Sequence, residues 1–347
     1  MMNLLITGGA GFIGSNLIRQ VIDEPEISKL VNLDCLTYAG HLANLEGIHG
    51  SHPRYFFEQV DLRHQEEVIR VIRQHDITHV IHLAAESHVD RSIAGPDDFI
   101  ATNINGTFHL LEACRSHWFN PETSIQMRAS RFLHVSTDEV FGSLSPDAPA
   151  FTEATPCAPN SPYSASKAAS DMLVRSYHHT YGLPAMITRC SNNYGPYQFP
   201  EKLIPVAIQS ILYRQPVPVY GDGMNVRDWL HVGDHCEALW TVLTQGTPGG
   251  TYNIGGCNEH ANLYLVQQLC DIVDELQPAL GGNSRALLSF VADRPGHDRR
   301  YAIDATKLSF ELGWKPAHTL EAGLRETVNW YLEHQDWVKA VTSSQRS

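Results

Sequence analysis

The chain of 347 residues is long enough for one large α/β domain with a smaller one beside it, and its hydrophobic fraction of 43% is typical of a globular protein. Its formal net charge of −13 disfavours nucleic acid as a partner, although local cations in a cleft can still hold a small anion. The N-terminal residues lack a signal-peptide pattern, and no apolar run is long enough to span a bilayer. The 7 scattered cysteines and 19 histidines show no metal-ligand spacing, so we expect a cytoplasmic protein without a metal site.

Short apolar runs alternate with amphipathic stretches through the first half of the chain. The strands are predicted at 3–7, 30–34, 55–61, 79–84, 131–136 and 184–189. Between the first two strands, apolar residues recur at helical spacing until Pro25 ends the run. This alternation requires right-handed crossovers and predicts a doubly wound parallel sheet of the Rossmann type, with helices on both faces.

A long helix is predicted after the fifth strand, and the sequence marks both of its ends. Ser161 can cap this helix, Pro162 suits its first turn, and Gly182 can end it. Beyond residue 190, proline-marked loops interrupt the alternation and indicate a smaller α/β lobe for substrate binding. The expected division is a dinucleotide-binding domain (1–189 and about 225–256), a smaller lobe (about 190–224 and 257–335) and a tail (336–347).

A glycine-rich turn, Gly8-x-x-Gly11-x-x-Gly14, follows the first strand directly. Glycines permit a tight turn there and let backbone N–H groups approach a pyrophosphate at a helix N-terminus. Asp34 ends the second strand 20 residues after Gly14, where a carboxylate can accept both ribose hydroxyls and would repel a 2′-phosphate. The motif alone is weak, but with Asp34 it favours NAD over NADP.

Two short segments carry groups suited to acid–base chemistry. Tyr163 and Lys167 lie one helical turn apart at the start of the long helix, where an ammonium is expected to lower the pKa of the phenol. A surface tyrosine and lysine would give the same pattern, but a position on the carboxyl side of the sheet favours a catalytic pair. Asp138 and Glu139 directly follow the fifth strand; adjacent acids more often form a solvated turn.

Together these segments resemble the extended short-chain dehydrogenase/reductases, and the triplet Thr137-Asp138-Glu139 narrows the resemblance to the nucleotide-sugar 4,6-dehydratases. Residues 190–205 are also similar to that family, and the similarity extends from residue 2 to about residue 332. The resemblance implies a lyase that converts dTDP-glucose to dTDP-4-keto-6-deoxyglucose and water, with tightly bound NAD regenerated in each cycle. Its steps would be oxidation at carbon 4, 5,6-elimination of water and hydride return to carbon 6.

The resemblance also implies roles for individual residues. Tyr163 with Lys167 would serve the oxidation, and Thr137 would bind the 4-hydroxyl. Glu139 would take the proton from carbon 5, while protonated Asp138 would give its proton to the departing 6-hydroxyl. The residues expected at the cofactor are Gly8, Gly11, Phe12, Ile13, Gly14, Asp34, Cys35, Leu36, Thr37, Asp61, Leu62, Leu83, Ala84, Ala85, Ser87, Thr102, Tyr163, Lys167 and Asn193. The residues expected at the nucleotide sugar are Ser87, Thr137, Asn192, Lys202, Leu203, Pro218, Val219, Tyr220, Arg227, Asn262, Asp293, Arg294, Pro295, Gly296 and His297.

Other interpretations stay open at this point. The substrate could be a GDP- or UDP-linked sugar, or the chain could be a non-catalytic dinucleotide sensor, although such a sensor need not keep both Tyr163 and Lys167. The later deoxysugar is not determined by the sequence; rhamnose, an amino sugar or an antibiotic sugar would all fit. By resemblance we expect a homodimer, because residues 97–114 and 164–181 match the helix pair that forms a four-helix interface in this superfamily.

Overall fold

The computed structural model of the protein describes residues 1–120, 126, 129–293 and 298–343. The strands are β1 (Met2–Thr7), β2 (Ile27–Asp34), β3 (Tyr55–Gln59), β4 (His79–His82), β5 (Arg131–Thr137), β6 (Ala185–Cys190), β7 (Asn192–Tyr194), β8 (Val217–Tyr220), β9 (Val226–His231), β10 (Thr251–Ile254), β11 (Glu259–Ala261) and β12 (Leu288–Val291). The α-helices are α1 (Phe12–Val21), α2 (Gln65–Gln74), α3 (Val89–Ala94), α4 (Asp97–Phe99), α5 (Thr107–Trp118), α6 (Pro162–Tyr181), α7 (Leu203–Leu212), α8 (Val232–Gln245), α9 (Asn262–Leu276), α10 (Thr306–Leu312), α11 (Leu320–Glu333) and α12 (Gln335–Ser343).

Within the described residues, the main sheet has seven strands in the order β10-β6-β5-β4-β1-β2-β3. All of its strand pairs are parallel. The predicted strands correspond to β1 to β6 and the predicted Rossmann-type fold is confirmed, with boundaries that shift by up to three residues. The strand order reverses between β1 and β4, which is where ligand clefts of doubly wound sheets lie.

The two faces of the main sheet carry separate apolar cores. Side chains alternate along β1, so Leu4 and Ile6 pack with the cluster that holds α1 and α8, whereas Leu5 packs with the cluster of α2 and α5. All three side chains are 0% exposed, and each such side chain contributes about 1.5–3 kcal/mol to folding. This two-sided burial explains why the strands read as continuous apolar runs.

The smaller lobe is built from two short sheets and the helices that cover them. One sheet has the order β11-β9-β7 and the other pairs β12 with β8. Their core includes Tyr194, Ile208, Leu269 and Leu324 from β7, α7, α9 and α11. We expected the chain to return to the main sheet near residue 225. Instead, β9 pairs with β7 in the smaller lobe, and the return begins with α8 and β10, which contact the main sheet.

The C-terminal segment differs from the expected tail as far as Ser343. Residues Gln335–Ser343 form α12, and its Val338 and Val341 are buried. The indole Nε1–H of Trp337 donates to Asn44 Oδ1 at 2.8 Å. The apolar residues of α12 recur over too few helical turns for the sequence to predict a helix that packs against the protein. None of the helices in the described part of the chain combines the length and apolarity that a membrane span needs.

Candidate active site

A cleft of about 480 Å³ opens at the carboxyl ends of the central strands, at the point where the strand order reverses. It brings together the glycine turn after β1, the acidic segment after β5 and the start of α6. The predicted residues that line it are Gly8, Gly11, Phe12, Ile13, Gly14, Asp34, Cys35, Thr37, Asp61, Leu62, Leu83, Ala84, Ala85, Ser87, Thr102, Thr137, Asp138, Glu139, Tyr163, Lys167, Asn192, Asn193 and Lys202. The segments predicted separately for cofactor and chemistry thus share one cleft.

The glycine turn is held tightly against its neighbours. Gly8 has φ +72°, and a Cβ there would lie 2.8 Å from the Ala84 nitrogen. A Cβ on Gly14 would lie 2.2 Å from the Gly8 carbonyl oxygen, so only glycine lets α1 begin this close to β1. Asp34 accepts the N–H groups of Ala10 at 2.9 Å and Leu36 at 2.8 Å, and its burial raises the pKa of the carboxyl. The aspartate therefore shapes the turn besides facing the cleft.

Cys35 follows Asp34 at this end of the cleft. Burial, followed by the charges of Asp34 and Asp61, raises the pKa of its thiol to about 11. The thiol is therefore neutral at physiological pH. A neutral thiol beside Asp34 therefore adds no second negative charge to this end of the cleft.

The acidic segment forms a 3-10 turn, Asp138–Phe141, at the end of β5. Thr137 caps this turn by accepting the Glu139 N–H at 3.2 Å, and its hydroxyl donates to Asp138 Oδ1 at 3.4 Å. Gly142 ends the turn with φ +84°, where a Cβ would lie 2.4 Å from the Ala158 oxygen. The turn points two carboxyls of different burial into one site, with Asp138 only 2% exposed and Glu139 partly exposed.

The predicted ends of the long helix α6 are confirmed. Ser161 Oγ accepts the Ser164 N–H at 3.1 Å, and Ser164 Oγ accepts the Ser161 N–H at 3.0 Å, which forms a capping box. Gly182 closes the helix in the left-handed conformation at φ 71°. This cap fixes the first turn of α6, which carries Tyr163 into the cleft.

The lysine of α6 is held by the backbone of β5. Lys167 Nζ donates to the Val135 carbonyl oxygen at 2.7 Å, and the side chain is 4% exposed. Burial lowers the pKa of Lys167 to about 8, while the carboxylate of Asp171 one turn further along α6 opposes that shift. The ammonium form is thus kept at neutral pH in a site that would otherwise disfavour charge.

The carboxyl of Asp138 and the phenol of Tyr163 both have pKa values above their usual ranges. Burial, then the charge of Glu139, then that of Asp228 raise the pKa of Asp138 well above its usual range. Burial, then the charges of Glu139 and two further groups also raise the pKa of Tyr163, whereas a hydrogen bond to Thr137 lowers it. The expected lowering of the phenol pKa is therefore not found: burial, followed by the charge of Glu139, raises the pKa of Tyr163.

A π-helical turn, Ile100–Gly106, supports the floor of the cleft from behind. Its Asn103 accepts the Glu86 N–H at 2.8 Å and donates to the Glu86 carbonyl at 3.0 Å and to Ser166 Oγ at 2.8 Å. This one buried amide ties the loop after β4 to α6. Sequence analysis missed this role, although π-turns often mark functional sites.

Several predicted substrate residues lie outside this cleft. The residues in question are Leu203, Pro218, Val219, Tyr220, Arg227, Asn262 and Asp293, and the expected cofactor residue Leu36 also lies outside. Arg227 is buried, donates to the Val226 and Asp298 carbonyl oxygens at 2.8 and 2.9 Å, and lies over the Tyr301 ring at 4.2 Å. Its charge still reaches the site, since it opposes the rise in the pKa of Asp138. Arg294, Pro295, Gly296 and His297 fall outside the described residues.

Leu36 shapes the chain beside the cleft through its backbone, while its side chain does not line the cleft. Its φ of +56° turns the chain after β2, and its N–H donates to Asp34 Oδ1. A left-handed leucine carries no sequence signal, since glycine or asparagine usually marks such a position.

Other residues line the cleft that sequence analysis did not name. They are Leu33, Tyr38, Ala39, Gly40, Val60, Arg63, Glu86, Asp98, Val135, Ser136, Cys190, Ser191, Gln198, Phe199 and Glu201. Most of them lie next to predicted residues in the same segments. Several lie at the carboxyl ends of β5 and β6, where ligand sites of such sheets are expected, so the sequence could have predicted them. Cys190 follows this rule, because its thiol donates to the Ser136 oxygen at 3.5 Å across that edge.

One cluster in the described residues has ligand atoms close enough for a metal ion. It consists of His231, His318 and Glu326, whose atoms lie within 4.8 Å of one another. The Gly233 N–H donates to His231 Nδ1 at 3.3 Å, which places the ring proton on Nε2, the nitrogen that faces the cluster. A protonated Nε2 does not bind a metal; this nitrogen lies 3.9 Å from Glu326 Oε1, while His318 Nε2 lies 3.5 Å from Glu326 Oε2, so both rings face the same carboxylate.

The chain matches a family model described as GDP-mannose 4,6 dehydratase over residues 5–327. The chain belongs to this family. The dTDP-glucose 4,6-dehydratase of Xanthomonas campestris pv. campestris (strain B100) is 54% identical over 343 residues, which are 98% of this chain and 96% of that protein. The resemblance to nucleotide-sugar 4,6-dehydratases predicted from the sequence is confirmed.

Solved structures of the dehydratase family share the fold over nearly the whole chain. The dTDP-glucose 4,6-dehydratase of Streptomyces venezuelae, with NAD bound, has a TM-score of 0.88 and 44% identity, and the match covers 98% of this chain and 100% of that one. The dTDP-glucose 4,6-dehydratase of Bacillus anthracis str. Ames, in complex with NAD, has a TM-score of 0.85 and 44% identity with the same coverage. With 44% identity, both structures are similar to this chain in sequence as well as in fold.

Proposed function

We propose that the protein is an NAD-dependent lyase that converts dTDP-glucose to dTDP-4-keto-6-deoxyglucose and water. One observation carries the proposal: the paired acids Asp138 and Glu139 share a dinucleotide-type cleft with Tyr163 and Lys167. A simple dehydrogenase needs the tyrosine and lysine, whereas a dehydratase also needs an acid and a base for elimination. The names and bound NAD of the related proteins support the same activity and cofactor.

The residues around the glycine turn fit NAD. The turn leaves no room for side chains, so backbone N–H groups at the start of α1 can approach a pyrophosphate, and Asp34 lies where a ribose would be bound. When bound, NAD would accept hydride from carbon 4 of the hexose and return it to carbon 6. The protein's task is then to hold the sugar, move its protons and exclude water.

Tyr163 is the proposed base for the 4-hydroxyl, with Thr137 as its hydrogen-bond partner. The Thr137 hydroxyl lowers the pKa of the phenol. Lys167, held by the Val135 carbonyl, adds a positive charge to the same turn of α6. Because burial and carboxylates raise the pKa of Tyr163, the phenolate form needs additional positive charge, which an oxidised nicotinamide ring would bring.

Asp138 and Glu139 divide the elimination between them. Burial raises the pKa of Asp138 well above its usual range, which favours the protonated form and suits this carboxyl to protonate the departing 6-hydroxyl. Glu139, the more exposed of the two, would take the proton from carbon 5 and later return one there. Removing water in this way leaves a conjugated 4-keto-5,6-ene, which is ready for reduction at carbon 6.

The nucleotide diphosphate is proposed to bind between the cleft and the smaller lobe. Lys202 lines the cleft, while Arg227 lies in the lobe beside Asn225, whose backbone carbonyl accepts the Asn262 N–H at 3.0 Å. The side-chain oxygens Oδ1 of Asn225 and Asn262 are buried without hydrogen-bond partners in the described part of the chain. Buried polar atoms without partners favour a polar ligand beside them.

A crossover experiment tests the proposed activity. dTDP-glucose deuterated at carbon 4 is mixed with unlabelled dTDP-glucose that carries a heavy-carbon tag, and the products are analysed by mass spectrometry and NMR. We expect deuterium at carbon 6 only in untagged molecules, and solvent deuterium at carbon 5. Scrambling of the label between the two populations, or net production of free NADH, would contradict the closed redox cycle.

The nucleotide preference is tested by offering dTDP-, GDP- and UDP-linked hexoses in parallel. We expect the highest kcat/KM for dTDP-glucose. Preference for GDP-mannose would instead agree with the description of the family model. Binding of NAD without turnover of any of these sugars would support the dinucleotide-sensor alternative.

We further propose a homodimer in the cytoplasm. Large apolar side chains are exposed on the helices beside the cleft, among them Ile100, Phe108, Met172 and Tyr181 with 39% to 48% of their surface exposed. Such a group on neighbouring helices favours burial against a second copy. The 7 cysteines are all free thiols, which supports a reducing compartment.

A further inference from the structure

Ala10 lies in the middle of the glycine turn, and both its backbone N–H and its carbonyl oxygen make hydrogen bonds. Its N–H donates to Asp34 Oδ2 at 2.9 Å. Its carbonyl oxygen accepts the His41 N–H at 3.0 Å and Asn44 Nδ2–H at 2.8 Å. Asn44 is 1% exposed, so this contact is shielded from water and the turn depends on it for part of its shape.

Asn44 is in turn oriented by the C-terminal helix. Trp337 Nε1–H donates to Asn44 Oδ1 at 2.8 Å, across 293 residues of sequence. An indole N–H can only donate, so it fixes the amide with its oxygen toward Trp337 and its NH₂ toward Ala10. Without that donor the amide loses the partner that defines its orientation.

Trp337 is itself packed against the smaller lobe. Its ring lies 5.0 Å from that of Trp330 and 5.8 Å from that of Tyr197. The Arg19 guanidinium of α1 lies over the Tyr197 ring at 4.8 Å and donates to the Asn44 carbonyl at 3.0 Å. These contacts connect the glycine turn and α1 to α12 and to the segment that carries Tyr197.

We propose that Trp337 is a positioning residue for the cofactor site, acting through Asn44 on the glycine turn. Docking of α12 would then set how tightly NAD is retained, without touching the groups that perform the chemistry. The inference rests on the proposed NAD site and goes beyond it, because it assigns cofactor retention to a helix outside the cleft. Loss of one such hydrogen bond is expected to weaken NAD binding about 3- to 10-fold.

The test compares purified holoenzyme of the wild type with Trp337→Phe, Asn44→Ala and the double variant. Trp314→Phe is the matched control, since Trp314 is buried and its indole N–H has no hydrogen-bond partner in the described residues. The measurements are the bound NAD content, the rate of NAD release, and kcat and KM for added NAD, with circular dichroism as a check of folding.

We expect Trp337→Phe to release NAD faster and to raise KM for NAD, with kcat at saturating NAD within about two-fold of wild type. Asn44→Ala should have the larger effect, and the double variant should match Asn44→Ala because Trp337 acts through that residue. Trp314→Phe should retain NAD like the wild type.

Wild-type NAD retention in a folded Trp337→Phe variant would overturn the inference while leaving the proposed function intact. Additive effects in the double variant, or a fall in kcat that added NAD does not restore, would also overturn it. Wild-type protein that neither retains nor requires NAD would instead contradict the proposed function itself.

Discussion

Asp138 and Glu139 are neighbours in sequence, yet the fold gives them different environments. Asp138 is buried, and burial, followed by the charges of Glu139 and Asp228, raises its pKa well above the usual range. Glu139 is partly exposed, and its charge helps to raise the pKa of Tyr163. The proposed roles of acid and base thus follow from burial on a single turn, since the two side chains have similar pKa values in water.

Glu139→Gln should separate the oxidation from the elimination. Glutamine keeps the size and polarity of the side chain but cannot accept the carbon 5 proton, so dehydration should fall about 10²- to 10⁴-fold while reduced nicotinamide accumulates on the enzyme. Rapid-mixing absorbance of NADH together with a product assay measures both effects. Glu237→Gln, at an exposed position on α8, serves as the control. Near-normal dehydration by Glu139→Gln would exclude Glu139 as the base.

Asp138→Asn should stabilise the protein while removing activity. The folded-state pKa of Asp138 is raised, so the wild type loses stability as the pH rises above the unfolded value of 3.8, and asparagine avoids that loss. The gain should be absent at low pH and reach about 0.5–2 kcal/mol at neutral pH. Thermal unfolding across this pH range measures it.

Asp222 is the control for Asp138, because its pKa is shifted in the opposite direction. A hydrogen bond from Arg299 lowers the pKa of Asp222 to about 2, so its carboxylate stabilises the fold above the unfolded value of 3.8. Asp222→Asn should therefore lose stability at neutral pH relative to wild type. A gain from Asp138→Asn that does not depend on pH would contradict the assigned protonation state.

At the scale of single residues, the sequence predicted the groups that face the cleft better than those that support it. Gly8, Asp34 and Tyr163 occupy positions that strand ends and glycine spacing define. Arg227 was expected at the nucleotide sugar; its side chain packs on Tyr301 and donates to the Val226 and Asp298 carbonyls, and its contact with a ligand stays a prediction. Long-range partners such as Trp337 for Asn44 have no local signal, because only the folded chain brings them together.

At the scale of elements, alternation and capping signals predicted β1 to β6 and the limits of α6, because each depends on nearby residues. The sequence did not predict the π-turn Ile100–Gly106 or α12. A π-turn needs a tertiary reason to insert a residue into a helix, here the bonds of Asn103 to Glu86 and Ser166. The short strands of the smaller lobe pair across long loops, which periodicity does not resolve.

Ser161→Ala should destabilise α6 and leave the chemical groups in place. The substitution removes the acceptor of the Ser164 N–H and should cost about 0.5–2 kcal/mol in the free energy of unfolding. Ser161→Asp is the matched variant and should cost at most about 0.5 kcal/mol, since the aspartate carboxylate can still accept the Ser164 N–H. Denaturant unfolding measures both. Equal losses in the two variants would show that the cap hydrogen bond is not the cause.

At the scale of the whole molecule, the exposed apolar side chains of α5 and α6 predict the assembly. Met172→Glu would place a charge on a surface that is 48% exposed in one copy but is proposed to be buried in the dimer. We expect light scattering to show a monomer for this variant and a dimer for the wild type. Phe310→Glu is the control, because Phe310 is 89% exposed on α10 and should not affect the assembly. A wild-type monomer would contradict the proposed dimer.

The position of β10 at the edge of the main sheet also has a consequence for synthesis. β10 pairs with β6, but 60 residues separate the end of β6 at Cys190 from the start of β10 at Thr251. A ribosome would therefore release β1 to β6 well before the strand that covers the β6 edge, leaving a row of unpaired backbone groups on a nascent sheet. The interleaved lobes thus delay completion of the main sheet until the first part of the smaller lobe has left the ribosome, and chaperone demand should be greatest in that interval.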